Sequence, residues 1–321
     1  MKCKIAIVVI IVIGSVQLNI CNAQKNFIAQ LDFQKDLFPE GIAIDAQRKS
    51  LFLNSLKYDK IVSCNIDGSN TSNFIKNGQY GYLSGFGMTV KGDTLYALGN
   101  ELKKAANASI LLLLDSRTGK LIDTYDFKSS NLTYFNDLTI STNNEIFITD
   151  SESNKIYRIQ RPNKEIKVFL DIDGIAHPNG IAISPNNKLL YLATQKGIRI
   201  VDTETKKLVN SSNRENLGVD GLKYYKNSLI GIVNIWESKP ENNGIFQYFL
   251  DKTGKRILHK KKLLSFSKEF KVPTTFDLIG NKLYFIMNTQ LDNFSETNKK
   301  TLNKSILEPL QLIEINIPKN Q

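Results

Sequence analysis

Apolar residues along this chain fall in short runs, each led by a polar or glycine-bearing phrase and closed by a turn, and the arrangement recurs six times. Pro39-Glu40-Gly41-Ile42-Ala43-Ile44 leads into Leu51-Phe52-Leu53, and Gly85-Phe86-Gly87-Met88-Thr89-Val90 leads into Leu95-Tyr96-Ala97-Leu98. Phe135-Asn136-Asp137-Leu138-Thr139-Ile140 precedes Ile146-Phe147-Ile148, and Pro178-Asn179-Gly180-Ile181-Ala182-Ile183 precedes Leu190-Tyr191-Leu192. Val219-Asp220-Gly221-Leu222-Lys223-Tyr224 and Pro273-Thr274-Thr275-Phe276-Asp277-Leu278 run in the same way into Leu229-Ile230-Gly231-Ile232 and Leu283-Tyr284-Phe285-Ile286. Every run is of strand length, and long helical periodicity is absent.

Taking Glu40, Gly87, Asn136, Asn179, Asp220 and Thr275 as anchors, the intervals are 47, 49, 43, 41 and 55 residues. That is the length of a four-stranded propeller blade. Asp67-Gly68, Thr118-Gly119 and Thr253-Gly254 sit at similar distances past their anchors, where a later hairpin turns. The chain is therefore expected to be all-β, a six-bladed β-propeller. Leu310 to Ile317 reads as a late strand, reached through the polar stretch Asp292 to Lys304, and Phe27 to Phe33 as an early one. The early strand is expected to complete the sixth blade and close the ring without a disulfide.

The 321 residues are 41% hydrophobic and 23% charged, an ordinary globular balance. Residues 1–23 stand apart from it. Lys2 and Lys4 precede the apolar run Ile5 to Ile13, and Cys21-Asn22-Ala23 offers a cleavage site, so this segment is expected to be a signal peptide and the protein exported, periplasmic or extracellular. The bulky Ile20 before Cys21 disfavours a lipobox. Residues 24–321 are expected to form one domain, a monomer acting on a small molecule, with no membrane association after cleavage. Removing the leader takes the net charge from +11 to +9, with lysines scattered and Lys260-Lys261-Lys262 the only run. No aromatic-basic motif accompanies that charge, which argues against a nucleic-acid partner. Cys64 is the one cysteine left, so neither a disulfide framework nor a thiolate metal cluster is available.

Propeller geometry turns the spacing into chemistry. Inner strands start near one end of the central tunnel, so Glu40, Asn136, Asn179 and Asp220, four oxygen donors distant in sequence, converge there. Two carboxylates and two amides suit one hard divalent cation, Ca²⁺ first, with Zn²⁺, Mn²⁺ or Mg²⁺ as alternatives. Strand alternation sends Asn136 and Asp137 to opposite faces, so only one of them points at the axis. His177, two residues before Asn179, is an auxiliary candidate at the mouth, although an exposed loop histidine is the commoner outcome. No Gly-x-Ser-x-Gly elbow, His-Glu-x-x-His motif or phosphate-binding glycine loop is present.

The phrases Pro39-Glu40-Gly41, Asn136-Asp137, Pro178-Asn179-Gly180 with Ser184-Pro185-Asn186, and Asp220-Gly221-Leu222 resemble the senescence-marker-protein, gluconolactonase and luciferin-regenerating-enzyme family. The related paraoxonase and strictosidine-synthase groups share that scaffold. The resemblance implies a six-bladed propeller with a divalent metal on Glu40, Asn179 and Asp220, Asp220 also serving as general base and Asn136 touching substrate or metal. It further implies hydrolysis of a lactone or ester, with the cation polarising the carbonyl. Where sugar-lactone members carry an arginine two residues before the substrate-contacting asparagine, this chain has Tyr134 as the candidate substrate contact. A non-catalytic propeller, its metal only stiffening the tunnel, is the alternative reading.

Overall fold

β-Branched and aromatic residues dominate the apolar runs, and each run forms a strand because such side chains pack well on a pleated surface. A computed structural model of the chain describes residues 25–103, 107–235 and 242–318. The segment read as a signal peptide lies outside the described residues. Six four-stranded antiparallel sheets follow one another as blades around a central tunnel. Their innermost strands are Ile42–Asp45, Ser84–Lys91, Phe135–Ile140, Ile181–Ile183, Val219–Tyr225 and Phe276–Ile279, in blades 1 to 6.

Several runs are apolar at every position rather than alternating, and the reason is that both faces of each blade are covered. In blade 2, Ile110, Leu112 and Leu114 enter the core shared with blade 1, while Leu111 and Leu113 enter the core shared with blade 3. The same division holds around the ring, giving one hydrophobic cluster for each pair of neighbouring blades. Burying one such side chain contributes about 1.5–3 kcal/mol. The ring is thus held by its blade interfaces.

The ring closes as the sequence predicts. Sheet 6 runs from Phe276–Ile279 through Lys282–Ile286 and Leu310–Asn316 to the N-terminal strand Lys25–Leu31 at its outer edge. Leu31 lies opposite Leu310 and Gln30 opposite Gln311, with a bulge between Phe27 and Ala29. Ala29 and Leu31 join the core between blades 6 and 1. Lys260, Lys261 and Lys262 fall on the outermost strand of blade 5, Ile257–Ser265, where charge on a solvated edge opposes edge-to-edge pairing. Among the described residues Cys64 is buried without a disulfide partner, and burial pushes its thiol up to about 12.

Candidate functional site

One backbone device recurs where inner strands begin. Phe38, His177, Gly218 and Val272 all hold left-handed backbone, with φ of 48°, 47°, 72° and 53°. Non-glycine residues rarely do so, and β-branched valine least of all. In each blade the second residue onward is polar: Glu40, Asn179, Asp220 and Thr274. Between them stands Pro39, Pro178, Val219 or Pro273. Proline offers no N–H to a ladder, so the inner strands of blades 1, 4 and 6 begin only past the anchor. Blade 5 has no proline there and is bulged between Val219 and Leu222 instead. Either way the ladder is broken where the polar side chain leaves it. This geometry corrects the anchor in blade 6, since Thr274 rather than Thr275 is the counterpart of Glu40 and Asn179.

Consecutive anchors are joined through the main chain. Gly180 N–H donates to the Asp220 oxygen at 3.0 Å and Gly221 N–H to the Thr274 oxygen at 3.0 Å. Thr274 Oγ1 and Thr275 Oγ1 both donate to the Glu40 oxygen at 2.9 Å. Two glycines are required by this crowding. A Cβ on Gly180 would stand 2.2 Å from the Asp220 carbonyl oxygen, and one on Gly218 would stand 2.2 Å from Ile235 Cγ1.

Polar residues ending the second strands act as clamps, and the sequence reading missed them. Asn54 Oδ1 accepts from Gly41 N at 2.9 Å, and Asn100 both donates to and accepts from Phe135 at 2.8 Å. Asp150 Oδ1 accepts from Tyr134 N at 2.9 Å. Asn234 Nδ2 donates to Asp220 Oδ2 at 2.8 Å and to the Pro273 oxygen at 2.9 Å. Their signal was legible as the polar residue after each second apolar run, in Leu53-Asn54, Gly99-Asn100, Thr149-Asp150 and Val233-Asn234.

Glu40, Asn136 and Asp220 are each only 8% exposed. Asn179 is half-buried, with its side-chain amide beside the Asp220 carboxyl. Glu40 Oε2, Asn179 Oδ1 and Asp220 Oδ1 are buried with no hydrogen-bond partner. Burial raises Glu40 well above the usual carboxylate range, reinforced by the charges of Asp220, Asp137 and Glu296. Burial likewise lifts Asp220 to about 7, against the Asn234 and Asn179 hydrogen bonds that favour its charged form. Two carboxyls and an amide thus present unsatisfied oxygens among mutually repelling charges, a donor set that a hard cation would satisfy. Among the described residues, no three His, Cys, Asp or Glu side chains cluster closely enough for that task alone.

The register of blade 3 shifts between Phe135 and Leu138, so a bulge carries Asn136 and Asp137 and suspends the alternation expected to separate them. Asp137 accepts from Ile181 N at 3.3 Å, and burial, opposed by Lys223, raises it to about 6. Asp277 plays the same part toward blade 1, accepting from Ile44 N at 2.8 Å, and Lys223 Nζ lies 3.2 Å from its other oxygen. Burial pulls the Lys223 ammonium down, and the charges of Asp277 and Asp137 outweigh it.

Tyr134 and His177 diverge. Tyr134 packs edge-on against Phe86 at 4.5 Å, with its hydroxyl 3.4 Å from both Glu296 carboxylate oxygens. Burial holds its pKa well above the ordinary value, with Glu296 and Glu40 adding to the effect. Glu296 belongs to the polar stretch seen in the sequence, which folds as a small hairpin of Phe294–Ser295 and Lys300–Thr301. The hairpin is tied to blade 1 by Phe294 against Phe38 at 4.9 Å and by Lys57 to Thr301 at 2.9 Å. His177 is exposed and takes part through its backbone, donating its N–H to Asn154 Oδ1 at 2.6 Å.

A family model described as the SMP-30/gluconolactonase/LRE-like region matches residues 38–224, more than half of the chain. The chain belongs to this family. That match spans Glu40, Asn136, Asn179 and Asp220 and stops short of blade 6. No curated protein matches the chain. Among solved structures, a gluconolactonase from Xanthomonas campestris aligns with a TM-score of 0.60 at 14% identity, over 92% of this chain and 90% of that one. A luciferin-regenerating enzyme aligns at 0.58 and 14%, over 92% and 95% of the two chains. A streptogramin B lyase aligns equally well, at 0.59 and 14% over 92% and 98%. At such identity these likenesses show the shared propeller, and this member of the SMP-30/gluconolactonase/LRE-like family must be read for chemistry from its own side chains.

Proposed function

We propose that the chain is an exported hydrolase that opens a lactone or ester at a divalent-cation site in the tunnel mouth, with Ca²⁺ the best-suited ion. The observation carrying this reading is the set of partnerless buried oxygens on Glu40, Asn179 and Asp220, each two residues past a left-handed backbone position. Family membership supports lactone hydrolysis.

Glu40, Asn179 and Asp220 would hold the ion, which when bound supplies Lewis-acid polarisation of a carbonyl. The chain's own groups do the rest. Asn234 fixes the Asp220 carboxyl through its hydrogen bond to Oδ2, so that the group that would hold the ion would also take a proton from the attacking water. Tyr134 and Glu296, facing each other beside Glu40, would contact the substrate.

The test is a lactone and ester panel on the mature protein, after chelation and with metals restored. Activity is expected to vanish on chelation and return with Ca²⁺, and Asp220→Asn is expected to lower kcat by about 10²–10⁴-fold. Activity surviving both treatments would overturn the reading.

A further inference from the structure

A cavity of about 320 Å³ lies between blades 5 and 6 and is built against the candidate site. Asn234, one of its lining residues, is the side chain that holds Asp220 Oδ2 at 2.8 Å. Ile235, another, is 39% exposed and packs where a side chain on Gly218 would otherwise stand, two residues before Asp220. The cavity and Asp220 therefore share a wall.

That wall is chemically apolar. Ile235, Phe266, Phe270, Val272 and Pro273 line it, with Phe266 and Phe270 stacked at 4.6 Å. Its two amides are engaged elsewhere: Asn234 donates to Asp220 and Pro273, and Asn243 pairs with both the N–H and the carbonyl of Ile235. A polyhydroxylated guest would find few partners here. Val272 takes its place in the wall with φ of 53°, a conformation that valine avoids, pinned by Thr289 Oγ1 on its carbonyl and by Lys271 N–H on the Met287 oxygen at 3.0 Å. Exposed Lys268 and Lys271 also line the cavity, against a single acid among the described residues, Asp292. The volume lies at the small end of the roughly 300–1,000 Å³ that ligand pockets span, which suits one arm of a molecule.

We infer that this cavity is an acyl- or alkyl-arm subsite, selecting lactones or esters with an aliphatic arm that ends in an anionic group. The inference rests on the hydrolase reading for its reacting carbonyl, and on the cavity alone for its arm. Lys268 and Lys271 meet the anionic end, while the aromatic pair and Val272 cover the methylenes.

Two measurements separate the two readings. The first compares kcat/KM for γ-butyrolactone and for γ-lactones carrying longer arms, where each buried methylene is expected to raise the value about four-fold. Ser267→Trp, which fills the cavity from an exposed lining position, is expected to cut the long-to-short ratio about ten-fold. The second is calorimetric titration with octanoate, which needs no turnover: binding is expected to the wild type and to weaken about ten-fold in the Lys268→Gln, Lys271→Gln double variant. Octanoate binding without turnover of any lactone upholds the subsite and defeats the hydrolase reading. Turnover that ignores arm length, with no octanoate binding, overturns the subsite and leaves the hydrolase.

Discussion

Gly180 N–H donates to the main-chain oxygen of Asp220 at 3.0 Å, and no side chain fits between the two strands at that point. The contact sets the separation of the blades bearing Asn179 and Asp220. Gly180→Ala should therefore destabilise the protein by about 3 kcal/mol, as overpacking against fixed backbone does. Gly92→Ala, at a positive-φ turn with nothing within 4 Å, should cost only about 1 kcal/mol. Denaturant midpoints for the pair check this, and equal losses would contradict it.

The N-terminal strand supplies the outer edge of blade 6 and places Ala29 and Leu31 in the core between blades 6 and 1. Starting the chain after Leu31 uncovers the edge of Leu310–Asn316 and opens the Leu310 and Leu312 side of that core. The expected result is loss of cooperative thermal unfolding, or a fall in Tm of more than about 10 °C from several kcal/mol. An unchanged Tm by circular dichroism would show that the ring closes without this strand.

Much of this architecture was legible because its causes are local and periodic. A polar phrase, an apolar run and a turn recur at blade length, and ring closure follows from that repeat. The sixth anchor was misplaced by one residue: Pro273-Thr274 repeats Pro39-Glu40 and Pro178-Asn179 in sequence, and the left-handed φ at Val272 together with the Gly221 N–H on the Thr274 oxygen assigns the place to Thr274. The Asn136 and Asp137 alternation was misjudged because a bulge is set by pairing with Asp150 and Ile148 on another strand, which composition does not reveal. Glu296 was unreadable for a different reason. It reaches Tyr134 across 162 positions, and no local pattern encodes that contact.

Glu40, Asp220 and Asp137 each carry a raised carboxyl pKa in the fold, Asp220 at about 7 and Asp137 at about 6. The folded state thus binds more protons than the unfolded chain between about pH 4 and pH 7. Their contribution is most favourable below the unfolded value and is lost as pH rises through the folded values. The metal-free protein should lose stability from pH 5 to pH 8, by at most about 1.4 kcal/mol per pH unit per group. Asp220→Asn should flatten that slope, and saturating Ca²⁺ should flatten it too by favouring the charged carboxylates. Urea midpoints against pH decide it, and stability rising toward pH 8 in the metal-free protein would contradict the assignment.

The most direct measurement is a calorimetric titration of Ca²⁺ into the chelated protein lacking residues 1–23, repeated with Glu40→Gln and Asp220→Asn. One ion per chain is predicted, with affinity lowered at least about ten-fold in each variant, since removing either carboxylate takes a charged oxygen from the set. Absence of binding at millimolar Ca²⁺, or binding that both substitutions leave untouched, would contradict the claim that these sequence-distant oxygens form one cation site.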